Sequence, residues 1–280
     1  MKKALSGAGL GAVKDVHHLI TLAGDYGFAA IEASGASVLK VVDNEGLEPF
    51  QKSLHATGVN ISTFGLPVEW RQSDAQFSQD LENLVPQARL AQSLGVDNFT
   101  TYVLPSTDWN AAQFMAKAVS RLKLCAQILK QYDVKLALEF VGPHHLRTTW
   151  KHPFIWSMAQ MIDMIEAIDE GNTGLLLDAF HWYTTGGTAE DIRKAGVDKL
   201  VHVHLNDARD VPVEDVLDND RLYPGEGVID LTTFLQTLKN IGYEGAIAQE
   251  ILTKEPPSET PEQLAQKSKE AYDKVFSRLS

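Results

Sequence analysis

Lys135-Leu136-Ala137-Leu138-Glu139-Phe140-Val141-Gly142-Pro143 is a run of β-favouring apolar residues that carries one carboxylate near its end and then meets a Gly-Pro stop. A Glu at the end of such a strand is costly to half-bury without a partner or a cation. The chain repeats the device three times: Leu175-Leu176-Leu177-Asp178 ends in an Asp, Leu200-Val201-His202-Val203-His204 in a His, and Ala246-Ile247-Ala248-Gln249-Glu250 in a Glu. Four buried-looking strands thus each deliver one hard ligand near the C-terminal end. In a parallel barrel those ends converge on one face.

Working outward, the same alternation covers the chain. Strands are predicted over 3–6, 29–33, 59–64, 98–104, the stretch holding Glu139, 173–178, 200–204 and 246–251. Helices are predicted over 13–26, 46–57, 74–94, 109–132, 155–168, 189–195, from Leu231 to the stop at Gly242, and over 261–279. The clearest helix has Asp230 as its cap and Leu231, Phe234, Leu235 and Leu238 at helical spacing. Eight strands alternating with eight helices demand a parallel sheet, and units of this length close most simply into a (β/α)8 TIM barrel, an α/β fold. An open doubly wound sheet is the alternative. It would favour a dinucleotide fingerprint after the first strand, and Gly7-Ala8-Gly9-Leu10-Gly11 matches that only superficially.

Composition bounds the rest. The 280 residues, 44% of them apolar, suffice for one large core, and no linker or low-complexity tract divides residues 1–280. A net charge of −12 argues against nucleic acid or an anionic membrane as partner, because both need clustered cations. A single cysteine, Cys125, excludes an intrachain disulfide and a Cys-based zinc site, and its helical setting reads as core. The stretch after Met1-Lys2-Lys3 is Gly-rich and broken by Lys14-Asp15, a poor secretory segment, and no run nears 18 apolar residues. The expectation is a cytoplasmic protein acting on a small molecule; a homo-oligomer is compatible with the sequence.

As a set, Glu139, Asp178, His204 and Glu250 offer three carboxylates and an imidazole. That set suits Mn²⁺, Co²⁺, Mg²⁺ or Zn²⁺ and leaves room for substrate oxygens. Any one carboxylate alone reads as a rim salt bridge; four strand-end ligands together read as a metal site. His202 faces the same way as His204 one layer deeper, as a core histidine or as a support for a ligand. His181, three residues past Asp178, is placed to reach a substrate oxygen. Phe180, Trp182 and Tyr183 beside it read as core or as a wall against a sugar-like ring. Arg221, on the long excursion after His204, reads as a surface residue or as a partner of inward carboxylates or substrate hydroxyls. The loop from His144 to Trp150, with Arg147, is long, polar and aromatic, and reads as a lid or binding loop.

At these residues the chain resembles the xylose isomerase-like sugar isomerases and epimerases, and within them the inosose (2-keto-myo-inositol) isomerases of inositol catabolism. The resemblance lies in Leu136-Ala137-Leu138-Glu139-Phe140-Val141-Gly142, Gly174-Leu175-Leu176-Leu177-Asp178-Ala179-Phe180-His181, His204-Leu205-Asn206-Asp207, the stretch from Asp220 to Leu231, and Glu250-Ile251-Leu252. It covers most of the chain from the second strand onward and is strongest in the second half. It implies one divalent metal held by Glu139, Asp178, His204 and Glu250, with His181 and Arg221 contacting substrate or orienting a ligand. Glu32, at the end of the second strand, matches an acidic family position near the site. Two departures border the expected pocket: Tyr183 stands where a second histidine is family-like, and the loop after Glu139 is longer. Endonuclease IV, of the same superfamily, would require more histidines and a cationic groove than this sequence has.

The chemistry follows from the parts. A keto-sugar or inosose bound to M²⁺ has an acidified α-proton. One carboxylate removes that proton to give an enediolate, and the same or the facing carboxylate returns it at the neighbouring carbon, which makes Glu139 and Glu250 the catalytic candidates. Three readings compete: an isomerase or epimerase, a metal-dependent dehydratase of a keto-cyclitol or dehydroshikimate type, and a non-catalytic sugar-binding barrel.

Overall fold

The computed structural model describes residues 1–279; residue 280, the last of the expected domain, lies outside the described residues. Eight strands, β1 (Lys2–Leu5), β2 (Ala30–Ala33), β3 (Asn60–Gly65), β4 (Asn98–Val103), β5 (Lys135–Phe140), β6 (Thr173–Asp178), β7 (Leu200–Leu205) and β8 (Ala246–Gln249), close into one parallel barrel. Each pairs with its sequence neighbours, and β1 closes on β8 with Ala4 opposite Ala248. This is the TIM barrel the alternation predicted.

Eleven α-helices are described, α1 (Val16–Asp25), α2 (Gly35–Glu45), α3 (Leu47–Thr57), α4 (Asp74–Leu94), α5 (Ala111–Lys130), α6 (His144–Arg147), α7 (Met158–Ile168), α8 (Ala179–Thr184), α9 (Ala189–Ala195), α10 (Leu231–Asn240) and α11 (Pro261–Phe276). Their boundaries follow local chemistry. Asp230 caps α10 by accepting from the Thr233 amide, and α11 opens with a Thr260–Gln263 capping box and Pro261 in its first turn. α4 ends at Gly95 in the left-handed conformation. The apolar stripes of the helices pack on the outer face of the barrel, while Ala4, Ala30, Ala246 and Ala248 form a separate small-residue cluster.

Three regions differ from the sequence expectation, one of them the short helix α8 directly after Asp178. Residues 35–45 form α2, which the reading passed over because Gly35 and three valines weaken its helical signal and only Gly35 and Val38 are buried. Ser34 caps it, and Gly46 at φ 93° separates it from α3. The stretch after Glu139 is not an open loop: it contains α6, and His152–Pro153 pairs antiparallel with Ser106–Thr107.

Candidate metal centre

Asp178 ends β6, Glu139 and His204 are the next-to-last residues of β5 and β7, and Glu250 directly follows β8. One ligand atom from each lies within 4.8 Å of the others. His204 Nδ1 stands 3.3 Å from Glu139 Oε1, 3.4 Å from Glu250 Oε2 and 3.6 Å from Asp178 Oδ2. The register explains the meeting: Asp178 lies beside His204 across β6 and β7, and Ala248 lies beside His204 across β7 and β8.

Each ligand is oriented by a neighbour. Asp178 Oδ1 caps α8 by accepting from the Phe180 and His181 amides, at 2.6 and 3.3 Å. Asn206 Nδ2 donates to both Asp178 oxygens. Arg221 Nη1 donates to Asp178 Oδ2 at 2.9 Å and to Glu250 Oε2 at 2.6 Å, while Nη2 donates to Asp218 Oδ1 at 2.8 Å. Arg221 is thus enclosed and paired with the carboxylates of Asp178, Glu250 and Asp218. The excursion that delivers it is pinned by Asp207, whose carboxylate accepts from the amides of Ala208, Gly225, Gly227 and Ile229.

His181 is also enclosed: the Gly142 amide donates to its Nδ1 at 3.3 Å, and its Nε2 lies 3.9 Å from Glu139 Oε1. Only glycine fits at 142, since a Cβ there would stand 2.8 Å from the His181 carbonyl oxygen and 2.5 Å from Thr184 Oγ1. Glu32 reaches across the barrel, and its Oε1 accepts from His202 Nε2 at 2.6 Å and from His204 Nε2 at 3.0 Å. The β2–β3 register shifts between Ile31 and Glu32, an irregularity of the kind that re-aims a side chain.

Burial disfavours charge throughout this cluster, and the neighbours decide which groups stay ionised. Asp178 is pushed up by burial but held well below the usual carboxylate range by Arg221 and His181. Glu250 is likewise opposed by burial and brought down by His204 and Arg221. Glu139 goes the other way: burial, with Glu250 adding to it, outweighs the pull of His204 and His181. Burial lowers His204, yet Glu32, Glu250 and the other carboxylates raise it well above the usual imidazole range. Three carboxylates facing one imidazole nitrogen call for a positive charge at that point. Glu139 Oε1 and His204 Nδ1, both buried, have no hydrogen-bond partner among the described residues. Oxygen-rich donors with orphaned atoms aimed at one another fit a hard divalent cation.

A cavity of about 1060 Å³ opens above the cluster. Glu139, His204, Glu250 and Glu32 line it; Asp178, His181 and Arg221 do not. Its remaining wall comes almost wholly from the first half of the chain, including Lys14, Thr100, Tyr102 and the Ser37, Lys40 and Asn44 face of α2. No sequence signal pointed to that face. Arg147 is not brought to this cavity. Its guanidinium donates to the carbonyls of Gly142 and Thr184, both at 2.8 Å, and lies over the Trp156 ring. With His144, Trp182 and Tyr183 it borders a separate cleft of about 560 Å³. Arg147 thus ties α6 to Gly142 and to Thr184 of α8.

Comparison with known proteins agrees with this geometry. The model of the xylose isomerase-like TIM barrel family matches residues 20–275. The inosose isomerase of Halalkalibacterium halodurans is 33% identical over 167 residues, which cover 60% of this chain and 57% of that protein, so the match spans little more than half the relative's length. A xylose isomerase domain protein from Alicyclobacillus acidocaldarius superposes with a TM-score of 0.91 at 31% identity, covering 99% of both chains. The zinc-bound crystal structure of an IOLI protein shares the fold, with a TM-score of 0.84 at 22% identity, covering 100% of this chain and 99% of that one. No helix among the described residues is long and apolar enough to cross a membrane.

Proposed function

Because this chain belongs to the xylose isomerase-like TIM barrel family, we propose that it is a divalent-metal-dependent isomerase or epimerase of a keto-sugar or keto-cyclitol such as 2-keto-myo-inositol, acting as one barrel domain through an enediolate. The observation that carries the reading is the buried cluster of Glu139, Asp178, His204 and Glu250 on the floor of the large cavity, with Glu139 Oε1 and His204 Nδ1 left without hydrogen-bond partners among the described residues.

These four residues would hold one Mn²⁺, Co²⁺, Mg²⁺ or Zn²⁺. A divalent cation supplies Lewis acidity toward a carbonyl and its neighbouring hydroxyl. The proton work falls to the protein. Asp178 is fully enclosed, so of the three carboxylates in the cluster only Glu139 and Glu250 face the cavity. One of them removes the proton from the carbon next to the carbonyl, and a proton is returned at the neighbouring carbon by the same or the facing carboxylate in an isomerase, or on the opposite face of the same carbon by the facing carboxylate in an epimerase. Arg221 steadies Glu250 through its Oε2, and His181 stands behind Glu139. Glu32, which lines the cavity, accepts from a substrate hydroxyl.

Turnover of inososes and ketohexoses in D₂O with added Mn²⁺, read by proton NMR, tests the reading. Deuterium is expected on the carbon that gains a proton. Glu250→Gln should lower the rate by a factor on the order of 10²–10⁴, the usual range for a general base, beyond any loss of bound metal measured alongside. A product free of deuterium, together with a Gln variant at full rate in saturating metal, would rule the assignment out. An unsaturated product absorbing in the ultraviolet would move the reaction to a dehydratase.

A further inference from the structure

Glu32 sits at the end of β2, opposite β6 in the barrel, and its chemistry there is unusual for a residue facing a substrate cavity. A single oxygen, Oε1, serves two buried imidazoles 170 and 172 positions away in sequence. A carboxylate can only accept, so the Nε2 atoms of His202 and His204 must both be the donors. His204 carries one further ring nitrogen, Nδ1, and that nitrogen faces Glu139, Asp178 and Glu250 without any hydrogen-bond partner among the described residues.

Glu32, His202 and His204 also satisfy a bare proximity test for a second metal site. The hydrogen bonds argue against it. At 2.6 and 3.0 Å the two Nε2–H groups already saturate Oε1, and a cation there would have to displace both protons. His202 is 1% exposed and makes no other side-chain hydrogen bond, so its part is to fix Glu32 from the barrel interior.

The geometry points to Glu32 as the positioning residue of the metal centre: braced by His202, it holds His204 in the tautomer and ring orientation that present Nδ1 to the cation. This rests on the metal reading above, and it deepens it by naming which nitrogen binds and what keeps it available. Metal-bound imidazoles are commonly held through their second nitrogen in this way, and loss of such a partner typically costs 10- to 100-fold in metal affinity.

The test is metal binding rather than turnover, so it stands apart from the choice of reaction. Zn²⁺ affinity is measured by competition with a chelating indicator for the wild type, Glu32→Ala, Glu32→Gln and His202→Ala. Glu32→Ala is expected to weaken binding about 10- to 100-fold, Glu32→Gln less, because its amide oxygen still accepts from one imidazole, and His202→Ala by an intermediate amount. In the Zn²⁺-loaded wild type, long-range ¹H–¹⁵N NMR should show His204 with Nε2 protonated and Nδ1 bound to metal; this arm needs no variant to fold. Unchanged affinity in Glu32→Ala, a second tightly bound Zn²⁺ per chain, or Nε2 as the ligated nitrogen would each overturn the assignment. A rise in KM alone would leave Glu32 a substrate contact only. If affinity falls as expected while no keto-sugar or inosose is turned over, the positioning role stands and the proposed reaction falls.

Discussion

Strands β5 to β8 and strands β1 to β4 meet the same cavity in different ways. Each of the later strands carries one member of the cluster at or within one residue of its C-terminal end, and the three carboxylates have neighbours from their own half: Asn206 and Arg221 on Asp178, Arg221 on Glu250, His181 beside Glu139. The earlier strands contribute no member of the four-residue cluster; they bring the wall, with Tyr102, Lys14 and the α2 face, and Glu32 as their one link to a ligand. In a barrel whose strand ends all converge, the wall of the earlier half can therefore be altered apart from the metal cluster, Glu32 excepted.

The largest effect should come from the ligand half. His204→Ala is expected to lower metal affinity by more than about 100-fold, beyond the loss typical of an outer partner, and His181→Ala by much less, because His181 lies behind Glu139. Equal losses in metal titration would dissolve the distinction between ligand and support. Metal binding should also depend on pH. In the metal-free protein the surrounding carboxylates hold His204 charged well above the usual imidazole range, and burial raises Glu139. His204 thus holds a proton that a cation must displace, and Glu139 gives up its proton less readily than an ordinary carboxyl, so affinity rises with pH. Calorimetry in buffers of different ionisation enthalpy should report about one or more protons released per metal near pH 7; no buffer dependence would contradict the charge pattern.

A smaller effect is expected from the wall. Lys40 and Asn44 make no ion pair or hydrogen bond through their side chains among the described residues and lie on the cavity face of α2. Replacing both with Ala should raise KM by about 3- to 10-fold, the loss of roughly one good polar contact, with metal affinity unchanged. A change in metal affinity would show that the halves are coupled. Arg147→Ala should leave KM nearly unaltered and reduce stability by about 1–3 kcal/mol through two lost charge-assisted hydrogen bonds to carbonyls, read from denaturant unfolding. A raised KM at unchanged stability would return the 144–150 segment to the pocket.

The same division separates what was legible in the sequence from what was not. Ligand strands write a strong local pattern, an apolar run closed by one Asp, Glu or His, because a buried ligand must be flanked by core. The four-residue cluster and the eight-stranded barrel were readable for that reason. The wall leaves no such pattern. α2 lies at the surface with only Gly35 and Val38 buried, so its periodicity is weak. Arg147 has the chemistry of a binding residue, and only the positions of the Gly142 and Thr184 carbonyls show where its guanidinium is held. His202 was readable as a histidine one layer below a ligand, but its partner Glu32 lies 170 positions away and emerges only on barrel closure.

The central claim is that Glu139, Asp178, His204 and Glu250 together hold one cation. Anomalous diffraction from crystals soaked in Mn²⁺ tests it most directly. The account predicts a single strong peak among those four side chains, next to His204 Nδ1, and none between Glu32, His202 and His204. A peak at that second cluster, or no peak among the four residues at saturating Mn²⁺, would contradict it.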